Sequence, residues 1–70
     1  MNLKEKITRY CDNHGMYVKD FPKLLDMALA TYYARMKSNN WSVGELVRLK
    51  AVLGLTDEEV LEIINDGAVE

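Results

Sequence analysis

Seventy residues, 49% hydrophobic and 29% charged with a formal net charge of −2, describe a small folded domain rather than a disordered chain. A chain this short buries only about 60% of its unfolded surface, which leaves little room for an enclosed active-site cavity and argues against an enzyme. No apolar run approaches the ~20 residues of a membrane span, Met1–Asn2–Leu3–Lys4–Glu5 lacks a signal peptide's apolar core, and one cysteine excludes an internal disulfide. A cytoplasmic protein with no membrane partner is expected.

In chain order, Asn2 and Glu5 have capping-box spacing. Leu3, Ile7, Tyr10 and Cys11 then share one side of a helix expected over residues 3–13, with Lys4 and His14 outside and Gly15 as its stop. Asp20 is a plausible cap for a second helix over residues 20–25, because Pro22 lacks an N–H and is tolerated in a first turn. Phe21, Leu24 and Leu25 would face inward. No Gly, Pro or Ser interrupts residues 23–37, and on propensity alone helix 2 continues to Lys37. Along this stretch Met27, Tyr32 and Met36 fall inward, and Ala28, Leu29, Ala30, Tyr33, Ala34 and Lys37 outward.

Ser38–Asn39–Asn40 reads as a loop. Ser42 with Glu45 then forms a capping box, and Trp41 with Leu46 a hydrophobic staple, opening a helix over residues 43–53. It is expected to bury Val43, Leu46, Val47, Leu53 and part of Leu49 before Gly54 ends it. Thr56 with Glu59, and Leu55 with Val60, repeat the device for a last helix over residues 57–65. That helix carries Val60, Leu61, Ile63 and Ile64 to Asn65–Asp66–Gly67. With no strand signal anywhere, the class is all-α.

Charge divides the chain unevenly. Residues 1–50 hold all nine Lys and Arg against five acids, +4, whereas residues 51–70 hold six acids and no base, −6. A positive body is compatible with phosphate binding on one side. The acidic first turn of the last helix suits the helix dipole without any catalytic role. Cys11 and His14 stand three apart on helix 1, but a zinc site needs about four such ligands, so neither a metal nor another cofactor is expected.

Three corners carry a family resemblance. Leu25–Asp26–Met27…Thr31–Tyr32–Tyr33–Ala34–Arg35–Met36–Lys37 resembles the recognition-helix pattern of the Cro/phage-repressor helix-turn-helix family. Trp41–Ser42–Val43–Gly44–Glu45–Leu46 is similar to that family's start of helix 4, and Leu53–Gly54–Leu55–Thr56–Asp57–Glu58–Glu59–Val60 to its helix 4–helix 5 corner. The resemblance implies a compact five-helix, lambda-repressor-like domain spanning residues 1–70. It places a turn at Asp26–Met27, so that helix 3 covers residues 28–37. It also implies a transcriptional regulator that binds double-stranded DNA, as a homodimer, with helix 3 in the major groove.

The implied base-facing residues are Ala28, Leu29, Ala30 and Tyr33. The implied phosphate-facing ones are Tyr17, Lys19, Thr31, Arg35, Lys37, Asn39 and Asn40. Ala28, Leu29 and Ala30 cannot hydrogen-bond a base edge, so they offer only apolar contact with thymine methyl groups. The alternative is a protein-interaction module on the same fold, whose apolar helix 3 face docks a protein partner without DNA.

Overall fold

A computed structural model gives an all-helical chain and describes residues 2–69, the side chains of 66–69 excepted. The order is helix 1 (Leu3–Asn13), helix 2 (Val18–Leu25), helix 3 (Leu29–Ser38), helix 4 (Val43–Leu53) and helix 5 (Asp57–Val69). Residues Ile7 and Cys11 of helix 1, Phe21 and Leu25 of helix 2, Tyr32, Leu49, Leu55 and Ile63 make one buried cluster. Each such side chain gains about 1.5–3 kcal/mol by leaving water, before the entropy of ordering is subtracted. Among the described residues no helix is long and apolar enough to cross a membrane.

The helix starts follow the local sequence. Asn2 accepts from the Glu5 N–H at 2.9 Å. Ser42 and Glu45 exchange both bonds of a capping box, and so do Thr56 and Glu59, at 3.2 and 3.0 Å. The stops share another device, a residue in the left-handed region: Gly15 (φ 62°), Asp26 (φ 55°), Asn39 (φ 54°) and Gly54 (φ 66°). Glycine takes this conformation without a Cβ penalty, and Asp and Asn tolerate it better than other residues. At Asp26 the motif is complete. Its N–H donates to Lys23 O at 3.2 Å and that of Met27 to Pro22 O at 3.0 Å, the two bonds that close a helix end and reverse its direction.

Several expectations are corrected. Helix 2 and helix 3 are not the continuous helix of propensity alone but separate, as the resemblance implied, because Asp26 leaves helical geometry. Helix 2 is a 3₁₀ helix that begins at Val18 after Tyr17, so Asp20 lies inside it and caps nothing. Pro22 is fully buried within it, tolerable because a short 3₁₀ run has few N–H bonds to lose. Helix 3 begins one residue late, with Ala28 as its N-cap. Leu24, expected inside, is exposed.

In helix 4 the buried stripe is Leu46, Leu49 and Val52–Leu53, so Val43 and Val47 stand 78% and 60% exposed and Leu49 is wholly buried. Both stripes have helical spacing, and the packing of helices 1 and 2 against helix 4 decides between them. Helix 5 buries Ile63 and part of Val60, leaves Leu61 and Ile64 exposed, and runs through Gly67 to Val69. The side chains of Asp66 and Glu70, part of the acidic end, lie outside what is described.

Candidate functional site

Helices 2 and 3 form the unit to which the sequence points, and burial rather than capping holds it. Phe21 and Leu25 anchor helix 2. Tyr32 anchors helix 3, its ring 6.2 Å from that of Phe21 and 6.5 Å from that of Trp41. Burial pushes the Tyr32 hydroxyl up to about 12, so it stays neutral in the core. Ala28 gives no side-chain cap, which leaves the first-turn N–H groups of helix 3 without a side-chain partner at the protein surface.

The residues implied to face bases are brought together. Ala28, Leu29, Ala30 and Tyr33 are all exposed, Leu29 by 45% and Tyr33 by 53%. Of the residues implied to face phosphates, Tyr17 is exposed with the Lys19 ammonium 5.5 Å from its ring centroid, and Lys37 and Asn40 are exposed. Thr31 is half-buried.

Two of the implied phosphate contacts are engaged within the chain. Arg35 Nε donates to both carboxylate oxygens of Glu45, at 3.0 and 3.3 Å, tying helix 3 to the start of helix 4. The Ser42 N–H, first, and then Arg35 hold the Glu45 carboxyl below its usual range. Asn39 Nδ2 donates to Ile63 O at 2.8 Å while its Oδ1 accepts from Trp41 Nε1 at 3.0 Å, so its amide locks the helix 3–helix 4 corner onto helix 5. A left-handed Asn with both amide atoms engaged is a structural joint.

Arg48 carries no signal in the sequence. From helix 4 its Nη1 donates to Leu25 O at 3.0 Å and lies 3.9 Å from Asp26 Oδ2. A cation at the end of helix 2 satisfies an orphan carbonyl and favours the dipole there. This clamp fixes the turn that aims helix 3. Its partners are 22 and 23 residues away in sequence, so no local spacing announces it.

Cys11 is buried, and burial first, then Asp12 and Asp20, push its thiol up, away from the reactive thiolate. His14 is exposed, stacked on Tyr10 with ring centroids 4.0 Å apart, and its Nδ1 donates to Tyr10 O at 2.8 Å. The two therefore do not converge. Among the described residues no three His, Cys, Asp or Glu side chains gather as metal ligands.

Compared with known proteins, the chain matches no family model, no curated protein and no solved structure. Its function is therefore argued from its own geometry.

Proposed function

We propose that the chain is a small DNA-binding regulator of the Cro/phage-repressor type on a lambda-repressor-like fold, helix 3 entering a major groove and helix 2 crossing the backbone. The observation that carries this reading is the turn at Asp26, clamped by Arg48, which leaves the start of helix 3 uncapped and its outer face free. Helix-turn-helix proteins present the N-terminal residues of their second helix in this way.

Leu29, Ala28 and Ala30 contact thymine methyl groups, Tyr33 offers the hydroxyl, and DNA shape supplies the remaining discrimination. Lys19, Lys37, Tyr17, Thr31 and Asn40 face phosphates, whereas Arg35 and Asn39 hold the frame. Half-sites about one helical turn apart belong to the same proposal where two chains bind side by side. No catalysis and no cofactor enter it.

Fluorescence anisotropy with a random duplex tests this. Binding at about 50 mM salt that falls steeply as salt rises, with a slope reporting a handful of phosphates, is expected. Undetectable binding at tens of micromolar protein would end the reading. Lys19→Ala or Lys37→Ala lowers the salt slope by about one.

A second reading is favoured by one observation: Leu29 and Tyr33 expose large apolar surface where hydrogen-bonding readers are usual. In it, Leu29, Ala30, Tyr33 and Ala34 dock a protein. Leu29→Glu separates the two, because loss of partner capture with residual DNA binding untouched makes this face an interface and not a reader.

A further inference from the structure

Helix 1 divides two surfaces of opposite character. Lys6 faces helix 5, its Nζ 2.6 Å from Glu59 Oε2. Lys4, two residues away and so about 200° round the helix, faces the other side. There it lines a groove with Val18, Tyr32, Tyr33, Met36 and Lys37. The floor and walls of the groove are apolar, and its two charged side chains are lysines. Neither Lys4 nor Lys37 meets a carboxylate among the described residues.

Helix 5 carries the complement. Leu61 and Ile64 are 56% and 44% exposed, and Glu58 and Glu62, both exposed and free of ion pairs among the described residues, stand one turn apart along one side of Leu61. One chain thus holds an apolar groove edged by cations and an apolar ridge edged by anions.

We propose that helix 5 of one copy docks in the Lys4–Lys37 groove of a second copy, Leu61 and Ile64 against Val18, Tyr33 and Met36, with Glu58 and Glu62 beside the two lysines. This is helix-in-groove recognition, with charge setting the orientation. Because groove and helix 5 lie on opposite sides of helix 1, no copy fills its own groove. Nor can a two-fold pair engage both surfaces of both partners at once. The contact is head-to-tail and extends into a chain or ring. Tyr33 and Lys37 also belong to the proposed DNA surface, so docking and duplex compete; that consequence rests on the DNA reading, and the docking does not.

Sedimentation velocity from about 10 μM to about 1 mM, a range that brackets weak association, tests the docking without DNA. The mean mass of the intact chain should rise with concentration and fall back as salt screens the lysines. A groove variant (Lys4→Glu with Lys37→Glu) and a helix variant (Glu58→Lys with Glu62→Lys) should each be monomeric alone, with helical circular dichroism retained because all four side chains are exposed. Mixed in equal amounts, they should associate again and grow with concentration as the intact chain does, because the Lys-edged groove meets the Glu-edged helix at one contact and the Glu-edged groove meets the Lys-edged helix at the next. Leu61→Ser serves as the helix variant should the charge reversal unfold. A monomeric intact chain throughout, a mixture that stays monomeric, or a variant that self-associates like the intact chain overturns the proposal.

Discussion

The helix 4–helix 5 half and the helix 2–helix 3 half are built on different terms. Helices 4 and 5 each start with a reciprocal capping box, and Gly54 turns between them with Lys50 paired to Asp57 across the corner. Most of that order is written within three or four residues. Helices 2 and 3 have no side-chain cap, a 3₁₀ run with a buried proline, and a non-glycine residue in left-handed geometry. They persist because Phe21, Leu25 and Tyr32 are buried and because Arg48 reaches over from helix 4. The part proposed to act on a partner is thus the part held from outside.

The largest test of that contrast removes the burial. Phe21→Ala should cost about 3–5 kcal/mol, the usual range for a fully buried ring. That approaches the whole stability of a domain this small. Urea unfolding followed by circular dichroism should show an early midpoint or no folded baseline. A loss below about 1 kcal/mol would mean that helix 2 does not depend on its anchor.

Next comes the clamp. Hydrogen bonds from charged donors contribute about 1.5–3 kcal/mol when sheltered, and with Arg48 half-exposed about 1 kcal/mol is expected for Arg48→Met. The loss should be local. Amide exchange at Asp26 and Met27, whose N–H groups close the turn, should speed up more than at Leu55, which closes the end of helix 4. Uniform acceleration would show that Arg48 supports the fold generally and not the turn.

Caps give a smaller, two-way comparison. Ser42→Ala should destabilise by about 1 kcal/mol, whereas Ala28→Ser should stabilise by up to about as much, because Ala28 already has the extended backbone an N-cap needs (φ −67°, ψ 148°). Thermal unfolding of both variants measures the two signs. If Ala28→Ser also weakens duplex binding, the uncapped N–H groups belong to the contact surface.

These magnitudes also explain what was legible in the sequence. The capping boxes of helices 4 and 5 and the stops at Gly15 and Gly54 are local devices, and their residues declare them. The Asp26 turn is not local: propensity runs helix 2 into helix 3, and a turn was expected only from the resemblance of the three corners. Val43 and Val47 have the spacing of a buried stripe yet face solvent, because the side of helix 4 that turns inward depends on where helices 1 and 2 lie. In the candidate site, the exposure of Leu29 and Tyr33 could be read from the pattern. The internal engagement of Arg35 and Asn39 could not, since Glu45 and Ile63 lie 10 and 24 residues further on.

The smallest effect at neutral pH separates the halves by their acid response. Glu59 accepts from Lys6 Nζ and from the Thr56 N–H, and these, Lys6 foremost, hold its carboxyl down at about 2. An unfolded glutamate titrates near about 4.3. A depressed folded value means that the contribution is complete above about pH 4.3 and is lost as pH falls toward about 2. Glu59→Gln keeps the capping geometry and removes the charge, so its urea midpoint should fall less steeply over that window than that of the intact chain. A residual slope should remain, because Lys50 lowers Asp57, and the Ser42 N–H and Arg35 lower Glu45, in the same direction. Helices 4 and 5 hold all three of these carboxylates. Acid should therefore loosen the locally capped half first, leaving amide protection around Tyr32 to outlast that around Val60. The reverse order would place the weak point at Asp26.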